Sequence, residues 1–265
     1  MPKAIFLALA ALGTLAAAQV PQQIDVSQLP KQTDMVDGVV VPVPSEIFGV
    51  LDKMGKVAWQ EVLRPMKDVA KPKGGQEQTA LLLGNVIAEG FIAVEAENTE
   101  EVKKIGNSVR ILAKAIGVEK AVISRASAII EGADKKSWQS VRKELDGARA
   151  DVKEAMTELN SAPLSELVSL GGWLRGTEAL TAVVQRTFTK DGAELLHQPI
   201  LLDYFDRKIA NMPKRMKDNL IVTKIQQGLV EIRPLMGEEI TESKVKQISV
   251  ISERLIQLIH SKGNE

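Results

Sequence analysis

From Ser45 onward the apolar positions recur at helical spacing, three and four residues apart. Ser45 offers an N-cap, and Ile47, Leu51, Met54, Ala58 and Val62 then form one stripe that ends near Pro65. Lys71-Pro72-Lys73-Gly74-Gly75 is a break. The stretch 76–97 is apolar almost all round, with Leu81, Leu82, Leu83, Val86, Ile87, Phe91, Ile92 and Val94. A helix of that kind sits in the centre of a bundle. Gly84 and Gly90 cost it about 1 kcal/mol each relative to alanine, so they are expected where a neighbouring backbone comes close.

Thr99 is the expected cap of the next helix, which carries Val102, Ile105, Val109, Leu112 and Ile116 and stops at Gly117. A helix over 118–132 follows. Trp138, Val141, Leu145, Ala148, Val152, Ala155 and Leu159 then keep heptad-like steps, a seam that closes either within the chain or across a dimer. Asn160-Ser161-Ala162-Pro163 is the best internal boundary. The helix predicted over 164–188 resembles 76–97, with the glycine-rich middle Leu170-Gly171-Gly172-Trp173-Leu174-Arg175-Gly176. The two segments read either as equivalent elements of two related halves or, given their low identity, as independent helices. Helices over 191–211, bent at Pro199, then 214–232 and 242–261 complete the pattern.

No segment shows sustained period-two alternation. The expected fold is all-α: a multi-helix bundle of about nine helices in two lobes, 45–160 and 161–265, with an extended N-terminal segment over 19–44. Val39-Val40-Val41-Pro42-Val43-Pro44 favours extended backbone, because proline restricts the residue before it. Residues 1–18 read as a secretory signal. Lys3 is the positive start, the run from Ala4 to Leu15 is short and apolar, and Ala16-Ala17-Ala18 offers cleavage after Ala18. The expected location is periplasmic or secreted, with no integral membrane anchor after cleavage.

Composition narrows the chemistry. The 265 residues include no cysteine, which removes disulfides, thiolate metal sites and cysteine nucleophiles. The two histidines, His197 and His260, cannot form a three-histidine zinc site in one chain. The 34 basic and 34 acidic residues balance, which argues against nucleic acid as a partner. No Gly-x-Ser-x-Gly elbow and no phosphate-binding Gly-x-x-x-x-Gly-Lys loop occurs.

Few constellations are left. Glu194-Leu195-Leu196-His197 is a Glu-x-x-His on a predicted helix, but His260 has Gln257 rather than a glutamate three positions before it. A di-metal site is therefore not expected, and neither is another cofactor. Asn85 and Glu89 lie four apart on one face of an apolar helix, and Arg175 and Glu178 lie three apart on the other. An unpaired buried carboxylate costs several kcal/mol, so Glu89 is expected to meet Arg175 where the glycines bring the helices together. The pair reads either as a structural ion pair that sets register or as the polar floor of a ligand pocket. On the second reading Asn85, Glu89, Trp173, Arg175 and Glu178 are the candidate ligand-binding residues. Trp173 equally suits the core as a packed aromatic. The expected function is that of an exported, non-catalytic helical protein acting on a protein partner. The alternative is a small-ligand carrier or sensor with a pocket between the two glycine-rich helices.

Overall fold

A computed structural model describes residues 34–36, 39–41, 49–50 and 57–262. The proposed signal at 1–18 lies outside the described residues, as do Ser45, Ile47, Leu51 and Met54 of the first predicted helix. The fold is an all-α bundle. The described part of the N-terminal segment is extended: β1 (Asp34–Val36) and β2 (Val39–Val41) pair antiparallel, with Met35 opposite Val40.

Eleven α-helices follow among the described residues: α1 (Trp59–Val62), α2 (Gln76–Glu95), α3 (Thr99–Ala115), α4 (Glu119–Asp134), α5 (Trp138–Glu158), α6 (Ala162–Arg186), α7 (Lys190–Glu194), α8 (Pro199–Ala210), α9 (Lys214–Lys217), α10 (Leu220–Ile232) and α11 (Glu242–His260). Eight of them have 12 residues or more. A 3-10 turn, Arg233–Leu235, joins α10 to the chain before α11.

The centre is α2, where every residue from 77 to 94 is buried. It packs against α3, α5, α6 and α11, and α6 packs in turn against α11. Glycine explains the tightest crossing. A methyl group on Gly84 would overlap the carbonyl of Val168, and one on Gly171 would overlap the carbonyl of Leu81. The two helices therefore touch backbone to backbone. Gly90 meets side chains instead, those of Leu145 on α5 and Ile105 on α3. Helices before and after Asn160 contribute to one continuous apolar core. Each large aliphatic side chain buried there contributes roughly 1.5–3 kcal/mol relative to exposure.

The α5 seam closes within the chain. Val141, Leu145, Ala148 and Val152 are buried, against neighbours that include α2, α4 and α6. Met156 rather than Leu159 fills its last layer, and Leu159 is exposed.

Several local expectations are corrected. The first predicted helix is interrupted, because Val57 and Ala58 are not helical and α1 is a single turn. Asn98, not Thr99, caps α3, its side chain accepting from the Glu101 amide. Pro199 starts α8 rather than bending a longer helix. A proline in the first turn gives up an amide hydrogen that has no partner there anyway. Asn219 interrupts the helix predicted over 214–232 and caps α10 through the Ile221 amide at 3.0 Å.

Candidate functional site

Residues 63–75 run between α1 and α2 without regular structure, as a strap across α2 and α3. An irregular segment must find partners for its amides elsewhere. Here side chains supply them. The Arg64 amide donates to Glu89 Oε1 at 2.7 Å, the Met66 amide to Glu101 Oε1 at 2.6 Å and the Ala70 amide to Ser108 Oγ at 2.9 Å. Lys104 Nζ donates to the Met66 carbonyl at 2.8 Å. The strap thus hangs on buried groups of α2 and α3.

Under it lies a cluster of two arginines and two glutamates. The expected pairing across the α2–α6 crossing is present: Arg175 Nε donates to Glu89 Oε2 at 2.5 Å. Arg175 Nη1 donates to Glu178 Oε2 at 2.6 Å, and Nη2 to the Val62 carbonyl at 2.8 Å. Arg64 closes the cluster from the strap, with Nη2 on Glu178 Oε1 at 2.5 Å and Nε on Oε2 at 3.2 Å. Arg175 is 1% exposed and the two carboxylates 4–5%, so these charges are neutralised by one another rather than by water. Burial pushes the Glu89 carboxyl above its ordinary value, against the pull of Arg175 and of the Arg64 amide.

The C-terminal end of α11 meets the same place. Gln78 Nε2 donates to the carbonyls of Ile259 and Ser261 at 3.0 and 2.8 Å, and Lys73 Nζ donates to the His260 carbonyl at 2.8 Å. These bonds satisfy carbonyls that a helix end leaves open, and Lys73 adds the favourable charge. They also fix His260, whose Nε2 lies 2.8 Å from Asn85 Oδ1. Burial, then the positive charges of Lys73, Arg175 and Arg64, hold the His260 imidazole down at about 4. The ring is neutral at pH 7, and the Asn85 bond assigns its Nε2 as the protonated nitrogen.

Strap, α2, α6 and α11 enclose a cleft of about 950 Å³. Its walls include Met66, Val69, Leu82, Val86 and Ile256. Asn85, Glu89, Arg175 and His260 supply polar groups, and Lys67, Lys71 and Lys73 come from the strap. The Asn85 side chain is the odd member. It is 3% exposed, and its Nδ2 has no hydrogen-bond partner among the described residues. Such a buried orphan donor costs about 1–3 kcal/mol.

Three of the five candidates therefore line one cleft: Asn85, Glu89 and Arg175. Glu178 stands behind Arg175, bonded to both arginines. Trp173 does not line this cleft. It faces α8, where Nε1 donates to Gln198 Oε1 at 2.7 Å and the ring tilts against Phe205 at 5.5 Å. It is a packed aromatic. Sequence reasoning missed the strap and His260, the latter because its partner Asn85 is 175 positions away in the chain. The glutamate–histidine motif is also dismantled. Glu194 ends α7, His197 follows it outside a helix, and His197 Nδ1 lies 3.2 Å from the Gly237 carbonyl. Among the described residues no group of three His, Asp or Glu is placed to hold a metal ion.

No family model, curated protein or solved structure matches the chain.

Proposed function

We propose that the chain is an exported, non-catalytic binding protein whose cleft holds a small ligand, as a carrier or sensor does. One observation carries the reading: Asn85, Glu89 and Arg175, polar residues of two apolar helices, converge on a single cleft of about 950 Å³. That size is at the upper end of the range for small-molecule sites, which are mostly apolar with a few placed polar groups. The orphan Nδ2 of Asn85 supports it further. An apolar residue of similar shape would avoid the desolvation cost, and a ligand acceptor would offset it. The export part rests on Lys3, the apolar run to Leu15 and the small residues Ala16 to Ala18. Among the described residues no helix is long and apolar enough to cross a membrane.

The test is mass spectrometry of the mature protein from its own host, first native and then denatured. Extra mass that leaves on denaturation is expected, together with an N-terminus at Gln19. A bare chain mass in both states sinks the ligand reading, and an intact Met1 sinks the cleavage.

A second reading, a protein partner, has support on the outer faces of α10 and α11. Leu220, Val230 and Val250 are 54%, 60% and 66% exposed. Crosslinking in the host compares the wild-type chain with Val230→Lys and Val250→Lys. Crosslinks unchanged by these substitutions remove that surface from consideration.

A further inference from the structure

The geometry points to a small carboxylate with an apolar body as the ligand, its anionic end held by Asn85 Nδ2 and Lys73 beside His260 and its body along Leu82, Val86 and Ile256. This rests on the cleft being a ligand site, and it adds the chemical class.

Charge decides between an acid and a base. Five cationic residues line the cleft, Arg64, Lys67, Lys71, Lys73 and Arg175, against Asp68 and Glu89. Counting Glu178 behind Arg175 still leaves the balance positive. The acids are also spoken for unequally. Both oxygens of Glu89 already accept, one from the Arg64 amide and one from Arg175. Asp68 is exposed on the strap. Lys67, Lys71 and Lys73 are exposed there too; like Asp68, Lys67 and Lys71 pair with no opposite charge among the described residues, and Lys73 bonds a neutral carbonyl, which leaves three strap cations against one acid.

Position decides where the anion sits. Arg64 and Arg175 are matched by Glu89 and Glu178 inside their cluster, so the uncompensated cation at His260 is Lys73, whose Nζ donates to the His260 carbonyl at 2.8 Å. Lys73 therefore places a positive charge at the Asn85 end of the cleft. A carboxylate there lies next to Lys73, a charge-assisted contact at the exposed rim of the cleft, with the unpartnered Nδ2 of Asn85 buried in the adjoining wall. A cation there meets the same field with the wrong sign and leaves Nδ2 unsatisfied. The remaining walls, Met66, Val69, Val86, Leu82 and Ile256, present hydrocarbon to the rest of the ligand.

The chain has only two histidines, which makes the test direct. Imidazole NMR spectra of the full mature protein, freed of ligand, are titrated with octanoate and separately with octanol. Octanoate is expected to bind, to shift the His260 resonances and to raise the pH at which His260 titrates, while His197 stays unmoved. Asn85→Leu and Lys73→Gln are each expected to weaken octanoate at least about tenfold and to leave octanol unchanged. Octanol binding as tightly as octanoate, in the cleft and with the same response to the variants, overturns the acid assignment and leaves a ligand cleft of neutral preference. No binding of either probe overturns the acid assignment as well. The native mass measurement above then tells whether the cleft carries some other ligand or none.

Discussion

Replacing Arg175 with methionine removes a cation that three partners share and keeps most of the volume. Glu89 Oε2, Glu178 Oε2 and the Val62 carbonyl lose donors at 2.5, 2.6 and 2.8 Å. Two carboxylates then remain 4–5% exposed, and the one cation left in the cluster among the described residues is Arg64, whose guanidinium pairs with Glu178 and whose side chain is itself 40% exposed. Breaking a buried pair from one side costs about 3–5 kcal/mol, because the surviving charge stays desolvated. For a chain of this size 1 kcal/mol moves the melting temperature by roughly 2–4 °C, so a fall of roughly 6–20 °C is expected at pH 7.5. The pH dependence has a definite sign. Burial raises the Glu89 carboxyl above its ordinary value, so its contribution to stability is full below the unfolded pKa and is lost as pH rises through the folded pKa. Without Arg175 the folded value rises further, and the deficit of the variant shrinks on acidification toward pH 5. Adding Glu89→Gln to Arg175→Met recovers part of the loss, which a double-mutant cycle on thermal or denaturant unfolding reads out. A melting temperature unchanged at pH 7.5, or a deficit that grows on acidification, refutes the desolvated-pair account.

Three further outcomes follow from the same contacts. Gly84→Ala is expected to lose stability by about 1–3 kcal/mol in denaturant unfolding, although alanine is the better helix former by about 1 kcal/mol, because the methyl meets the Val168 carbonyl; a gain of stability contradicts the close crossing. His260 sits depressed from 6.5 to about 4, so its contribution is present above pH 6.5 and lost as pH falls through 4, about 3 kcal/mol in all; His260→Gln is expected to flatten the stability curve of the protein in that window, and an unchanged slope contradicts it. Glu101→Gln weakens the acceptor of the Met66 amide and the partner of Lys104, so limited proteolysis is expected to cut within 66–73 several times faster than in the wild type, and an equal rate argues against the pinned strap.

How much was legible depended on whether a residue had a choice. Helix 76–95 is apolar on every side, so its central place was forced, and two charged residues in two such helices had little recourse except each other. Gly84 and Gly171 announced a close crossing for the same reason. The strap gave no signal, because its amides are satisfied by Glu89, Glu101 and Ser108, side chains 25 to 38 positions away, and no local pattern encodes such bonds. His260 and Asn85 are 175 positions apart, and only the docked end of α11 brings them together. Trp173 sits among apolar neighbours on all sides, so periodicity left open whether it faced the cleft or α8. Pro199 fits a kink or a first turn equally well by sequence, and the unwound residues 195–198 decide for the turn.

The central claim is that Asn85 is kept for a ligand at a cost to the fold. Asn85→Leu separates the two roles in one sample, measured for thermal stability after ligand removal and for ligand mass as purified from the host. The account predicts loss of the bound mass with little change in stability, because the orphan Nδ2 is gone while His260 Nε2 loses its Oδ1 acceptor. A large fall in stability, or the same bound mass in both proteins, contradicts it.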